Sequence, residues 1–411
     1  MRVLYITAEV PWPLQSGYLR HFHIMRGLSE RHDVTLLSLT RRVGLSDDAA
    51  RALRAFLADI QVVSHGTKRD AMGRTERMLA RRRAARRLAA RVRECLALGH
   101  HDVVLFSGKD TFPALQAVGA TPVVIDVCDA ASLRIRGQLD VAGVARRPAL
   151  SARLAEVRRV ERGLAKATRH LLFASERDRA AVLGTEDAGR VVPNAVDLDY
   201  WTRRTALQRL GSQPRIVMTG VMDYPPNYDA ALRLAERVMP RVREAVPGAE
   251  LVIAGRDPGP QLRAAGDASP WMTVTGALPD LRPEMERGAV YCAPLRFASG
   301  IQNKLLEALA MEIPVVTTPV VADGLRGGGV NPPMIIADAD EAIADGILRL
   351  LRTPADHRRL ATEGRAFVED AFSWGRTVAT VERELALATG RPPSASHPGA
   401  SLAPLPGAVR L

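Results

Sequence analysis

The sequence predicts an α/β protein of two Rossmann-like, doubly wound domains that meet at an interdomain cleft. Three observations carry this. Short, wholly apolar runs alternate with helical patterns from the first residues onward. The alternation stops at the aperiodic stretch DLDYWTRRTALQRLGSQP (197–214), and it starts again at PRIVMTG (214–220). Apolar runs without polar interruption mark strands covered on both faces, as in parallel sheets, and their alternation with helices is the doubly wound pattern. At 411 residues the chain is long enough for two cores of about 200 residues each.

In the first half, VLYITAE reads as a buried strand, PWPLQSG as a Pro-rich loop and YLRHFHIMRGLSER as a helix. DVTLLSLT is a second strand. Arg51 to Ile60 reads as a helix and QVVSH as a strand. DVVLFSG, PVVIDVCD, HLLFAS and RVVPN follow as short buried strands, with SARLAEVRRVERGLAKAT the clearest helix among them. In the second half, PRIVMTG is a strand, NYDAALRLAERVMPRVREAV one long helix, and AELVIAG, WMTVTGA, AVYCAPL and IPVVTTP are strands. The expected domains are therefore 1–197 and 213–370, joined by the aperiodic stretch. Residues 371–389, containing FSWGRTVATVERELALA, form a last amphipathic helix that packs back on the first domain. Residues 390–411 are a disordered tail by composition.

Hydrophobic content of 47% and charged content of 25% are those of an ordinary globular protein. MRVLYITAEVPWP is not expected to be a signal peptide, because its apolar run is short and breaks at Pro11 and Pro13. No run approaches the ~18 apolar residues of a membrane span. Cys95, Cys128 and Cys292 are scattered without metal spacing, which fits reduced thiols and a cytoplasmic setting. The net charge of +12 is lopsided: residues 1–200 hold 33 Lys and Arg against 22 Asp and Glu, the remainder 24 against 23. The first half is expected to face something acidic.

Two such domains bind ligand at the carboxyl ends of their strands, so the strand-to-helix loops are where chemistry belongs. Those loops carry Gly17, Gly108, Gly220, Gly255 and Gly300. Any one of them could simply end a strand. GxGxxG and Walker patterns are absent, which counts against dinucleotide and P-loop sites. Around SGIQNKLLEAL (299–309), Gly300, Lys304 and Glu307 fall within roughly 60° of one another on a helix, with Leu305, Leu306 and Leu309 pointing away. Arg256, Arg296 and Lys304 suit a diphosphate, and Glu307 could accept bonds from vicinal ribose hydroxyls. The competing reading is an i,i+3 ion pair between Lys304 and Glu307 on a solvated face.

The block SGIQNKLLEALAMEIPVVTTP, with VVPNAVD before the linker and GVMDYPPNYDAAL after it, resembles the family 4 retaining glycosyltransferases of GT-B fold. The likeness is greatest to the bacterial sugar transferases of exopolysaccharide and exosortase (PEP-CTERM) systems. It spans about residues 1–388 and is strongest from 190 to 325. The resemblance implies a nucleotide-diphosphate sugar donor on the second domain, a glycan or polyprenyl-linked acceptor on the first, and retention at the anomeric carbon without a metal. Glu307 matches the second glutamate of the family's Glu-x7-Glu motif, the one expected on the ribose. The first would fall at Ser299, so the motif is broken there, in a region that in the family lies near the donor sugar. Val221 and Asn227 stand where the family commonly has Arg and Lys, which leaves the diphosphate to Arg256, Arg296 and Lys304, beside the backbone of Gly220 and Gly300. By position, Gly276 to Leu278 would border the base, and Gly17 would let the first-domain backbone approach the diphosphate.

No pair of carboxylates stands out as nucleophile and acid. Asp129, closing PVVIDVCD, is the first-domain candidate for the acceptor hydroxyl or donor sugar; it could equally cap the helix that follows. Asp126 reads as structural, and His21 and His23 as helix-surface residues. Residues 68–93 carry eleven Lys and Arg with Met78, Ala85, Leu88, Val92 and Cys95 on one face and Arg81 intruding on it. This could be a helix at an anionic membrane surface or a core-packed helix with a solvated Arg face. Nucleic acid is not expected, given 4% aromatics and no binding motif. Two other functions share this architecture: a sugar-nucleotide epimerase, and an inactive nucleotide-sugar-binding homologue.

Overall fold

The computed structural model describes residues 1–14, 18–40, 44–64, 74–184, 188–205, 213–326 and 331–392. Gly17, residues 68–73 of the basic stretch, much of the linker and the tail from 393 lie outside the described residues, as do the side chains of Met78 and Arg81. The first sheet holds β1 (Arg2–Thr7), β2 (Asp33–Thr40), β3 (Asp59–Ser64), β4 (Val103–Ser107), β5 (Val123–Cys128), β6 (Leu171–Phe173) and β7 (Arg190–Val191), in the order β3-β2-β1-β4-β5-β6-β7. The second holds β8 (Arg215–Thr219), β9 (Glu250–Ala254), β10 (Met272–Gly276), β11 (Gly288–Ala293), β12 (Val315–Thr317) and β13 (Ile335–Ile336), in the order β10-β9-β8-β11-β12-β13. Every pairing among them is parallel.

Strand residues alternate between the faces of a sheet, so a strand apolar throughout needs a layer on each side. In β1, Val3 and Tyr5 join one core and Leu4 and Ile6 the other. The Leu4 side is closed by helix Arg74–Ala97 through Ala84, Leu88, Val92 and Cys95, all buried. The described part of the basic stretch, from Arg74, is thus a core-packed helix with Arg82, Arg83, Arg86 and Arg87 exposed. Ala84 rather than Ala85 carries the buried face.

The Val3 side is closed by helix Leu19–Ser29, itself covered by the last helix, Trp374–Ala388. That helix belongs spatially to the first domain. Its Glu382 accepts from Arg31 Nε at 3.0 Å, and its Glu384 lies 2.7 Å from His170. Packing against the last helix on one side and β1 on the other overturns the surface reading of the two histidines. His23 is 3% exposed and stacks on Trp374 at 4.3 Å, while His21 Nδ1 lies 2.9 Å from the Tyr5 hydroxyl. Burial pushes His21 down to about 4, with Asp126 opposing and Arg20 assisting. The chain passes between domains twice, and the crossings are joined: Val196 N–H donates to Phe372 O at 3.2 Å.

Two helices differ from expectation. In place of a helix over Arg51–Ile60, the helix is Asp47–Arg54, because Ser46 caps it by accepting from Ala49 N–H, and β3 begins at Asp59. The long helix over 227–246 is interrupted: Pro225–Arg233 passes into a π turn at Leu234–Val238 before Met239–Ala245. Pro240 has no N–H for an i−4 bond and its ring crowds that carbonyl, so the turn widens.

Candidate functional site

Both sheets reverse strand order beside their first strand, β1 against β2 and β4, β8 against β9 and β11. Open parallel sheets bind ligands at such points, outside the carboxyl ends of the strands. The two ends face each other across a cleft of about 1310 Å³. That exceeds the ~300–1,000 Å³ of a typical single-ligand site, so it has room for two reactants.

The second-domain wall is built on backbone. At the end of β9, a Cβ on Gly255 would lie 1.8 Å from Gly220 O, and its φ is +149°, so only glycine closes this contact. Asn227 Nδ2 donates to Val221 O at 3.0 Å, which turns its Oδ1 toward Lys304 Nζ, and the lysine donates to it. Leu305, Leu306 and Leu309 anchor helix Asn303–Ala310 in the core, leaving Lys304 and Glu307 on the cleft. Lys304 is buried, so this face is not solvated and the surface ion-pair reading fails. Burial lowers Lys304 to about 7, with Glu307 opposing. The helix starts at Asn303 rather than at Gly300, whose φ of +64° instead turns the preceding loop.

The first-domain wall is built on charge. The register of β5 against β6 breaks between Asp126 and Cys128, and Cys128 takes φ +62°, an unusual value for a residue with a side chain. This turns Asp129 into the cleft. Its Oδ1 accepts from Lys109 Nζ at 3.0 Å and its Oδ2 from Ser299 Oγ at 2.5 Å. Burial raises the Asp129 carboxyl, but Lys109 and the Ser299 hydroxyl outweigh it and bring it down to about 2. Asp129 is not a helix cap, since helix Ala131–Val141 begins after Ala130 with no side-chain cap.

Two further groups fasten the walls. Asp178 accepts from Ala130 N–H at 2.8 Å and from Gly300 N–H at 3.1 Å, one backbone donor from each domain. The Gly300 amide, a candidate for the diphosphate, is therefore occupied here. Arg20 donates to Asp126 through Nε at 2.8 Å and Nη2 at 3.0 Å, and through Nη1 to Asn194 Oδ1 at 3.1 Å. Asn194 Nδ2 then donates to Asn303 Oδ1 at 3.0 Å, reaching the first residue of the second-domain helix.

Of the residues singled out in the sequence, Asp129, Ser299, Gly220, Asn227, Arg256, Leu278, Gly300, Lys304 and Glu307 all line this cleft. Gly276 does not, although Ala277 beside it does. Arg296 is placed elsewhere: its guanidinium is held by Asp229, with Nε 2.9 Å from Oδ2. Arg256 lines the cleft while paired with Asp257 at 2.6 Å. Gly17 lies outside the described residues. Sequence reasoning missed Lys109, Arg20, Asp178 and Asn194. Two of them left a signal: Lys109, as one of four lysines and directly after a strand-ending glycine, and Asn194, inside the block VVPNAVD.

Comparison with known structures decides the architecture. Anabaena HepE, solved with UDP and glucose, superposes with a TM-score of 0.67 over 94% of this chain and 100% of its own, at 15% identity. Sucrose-phosphate synthase from Thermosynechococcus elongatus gives 0.70 over 93% and 97%, also at 15% identity. The fold is GT-B. A family model described as "Glycosyl transferases group 1" matches residues 213–353, which is the second domain of this GT-B chain and contains Lys304 and Glu307. A putative UDP-N-acetylglucosamine 2-epimerase from Listeria monocytogenes shares the architecture at 0.55 over 93% and 96%, at 14% identity. No curated protein matches the sequence.

Proposed function

We propose that the protein is a retaining glycosyltransferase that moves a sugar from a nucleotide-diphosphate donor to a glycan or polyprenyl-linked acceptor in exopolysaccharide or related glycan assembly. One observation carries this reading: Lys304 and Glu307 of the second domain face Asp129 of the first across a single cleft. The group 1 match over residues 213–353 and the UDP found in HepE support placing the donor on the second-domain wall.

In this reading Glu307 accepts the ribose hydroxyls and Ala277 and Leu278 border the base. Lys304 and Arg256 face the diphosphate. The acceptor oxygen bonds to the anomeric carbon on the face from which the diphosphate departs. The bonding pair leaves with the phosphate oxygen, which receives the acceptor's proton. Cationic side chains fixed in advance stabilise that departing charge without needing a metal. Asp129 holds the acceptor hydroxyl or donor sugar, with Ser299 bonded to its carboxylate where the resembled family has a glutamate.

A thermal-shift screen over UDP-, GDP- and ADP-sugars tests the donor site. Stabilisation by one nucleotide series is expected, and no shift at millimolar concentration would leave an inactive homologue as the better reading. Incubation with the stabilising sugar nucleotide alone separates transferase from epimerase, since an epimerised product without acceptor overturns transfer. The exposed arginines of helix Arg74–Ala97 support a peripheral role at an anionic membrane. Replacing Arg82, Arg83, Arg86 and Arg87 with Gln is expected to weaken binding to anionic liposomes at low salt, and unaltered binding removes that role.

A further inference from the structure

Six cations among the described residues line the cleft: Arg20, Lys109, Arg134, Arg153, Arg256 and Lys304. Four are engaged, by Asp126, Asp129, Asp257 and Asn227 respectively. Arg134 and Arg153 are different. No carboxylate among the described residues lies within ion-pair distance of either, although Asp110 and Asp223 line the same cleft.

Both belong to the first domain, Arg134 on helix Ala131–Val141 and Arg153 on helix Arg147–Ala167, and these helices pack together. Arg134 is held in place: its guanidinium sits 5.5 Å from the ring centroid of Tyr224, a contact that fixes it without neutralising it. It also lies close enough to Asp129 to help lower that carboxyl, after Lys109 and Ser299. Ile135 and Val157, each on the same helix as one of the arginines, line the cleft beside them. This part of the wall is therefore cationic and apolar together, near Asp129 and on the side opposite Lys304 and Glu307.

We infer that Arg134 and Arg153 form an acceptor-side anion subsite, and that the acceptor carries a phosphoryl group next to the hydroxyl or phosphate oxygen that is glycosylated. Unpaired guanidinium groups bind phosphate through several N–H donors at once, and a cleft already holding a donor diphosphate gains most from cations placed for a second anion. Ile135 and Val157 suit an apolar chain attached to that phosphate. The inference rests on the transferase reading, because it takes the other wall as the donor's.

The test uses the full chain with Arg134→Gln and Arg153→Gln, singly and together, and with both residues changed to Lys. UDP affinity by calorimetry reports the donor side; calorimetric titration of the UDP-saturated protein with farnesyl diphosphate, glucose 6-phosphate and inorganic phosphate reports the acceptor side. The double Gln variant should bind UDP within about twofold of the parent and lose at least tenfold in affinity for the phosphorylated probes, with the Lys pair recovering part of it. Preference for farnesyl diphosphate over the other two assigns a prenyl-linked phosphate; preference for glucose 6-phosphate assigns a soluble one. An equal loss of UDP affinity would place the arginines in the donor site and overturn the inference. Unchanged binding of all three phosphorylated probes would overturn it while leaving the donor assignment standing.

Discussion

The two walls of the cleft are made in different ways. The second-domain wall comes largely from one contiguous segment: 299–307 supplies Ser299, Gly300, Lys304 and Glu307, held by three leucines of the same helix. The first-domain wall is assembled from Arg20, Lys109, Asp129, Asp178 and Asn194, whose positions in the chain are up to 174 residues apart. A contiguous site shows its spacing in the sequence; an assembled one shows only its folded neighbours. The contrast is also chemical. The second wall presents a near-neutral lysine and backbone turns, and the first presents a fixed carboxylate clamped by an ammonium and a hydroxyl.

If the first wall acts in the chemical step and the second in donor binding, variants should separate the two. Asp129→Asn is expected to have the largest effect, lowering kcat by about 10²-fold through looser positioning of the acceptor or sugar, with UDP affinity retained; initial rates and calorimetry together measure this. A proportionate loss in UDP affinity would erase the division between the walls. Glu307→Ala should raise the donor KM by about 10- to 100-fold, the range for hydrogen bonds to a charged group worth about 1.5–3 kcal/mol, while the melting temperature stays close to that of the parent. An unchanged KM removes Glu307 from the ribose.

Lys304 gives a smaller effect with a defined sign. Its folded value of about 7 lies below the ordinary 10.5, so unfolding takes up a proton between those values and stability rises with pH across that window. Lys304→Met should abolish that rise in denaturant titrations at several pH values. The same lysine must be charged to hold a diphosphate, so UDP binding should take up a proton near pH 7 to 8 and weaken as pH rises, by up to about tenfold per unit. Calorimetry in buffers of different ionisation enthalpy reads this directly, and identical heats would contradict it. The smallest effect is expected of Arg296→Ala: its exposed pair with Asp229 is worth about 0–1 kcal/mol, and UDP affinity should change by less than about twofold.

The sequence disclosed most of both sheets because their core strands are largely apolar, though it missed the short strand Ile335–Ile336, and it disclosed Glu307 and Lys304 because a helix puts them on one edge. It concealed whatever depended on packing. His23 looked like a surface residue because the helix that covers it begins some 350 residues later, at Trp374, and His21 because its partner Tyr5 sits on a strand rather than on its own helix. Arg296 looked like a phosphate ligand because the pull of Asp229, far away in sequence, leaves no local trace. Asp129 could be read as a helix cap until the positive φ of Cys128 showed the chain turning it outward.

The joined crossings at Val196 and Phe372 bear on how the protein can be taken apart. In space the first domain is a discontinuous piece of chain, 1–196 plus the helix Trp374–Ala388, whereas the second is one uninterrupted insertion between them. A fragment ending near 196 would lose the cover of His23 and of Gly27, where an added Cβ would meet Val378 at 2.5 Å, and would expose that apolar face to solvent. An exchange of donor domains between relatives therefore needs two junctions, one on each crossing, with the terminal helix left to its original owner.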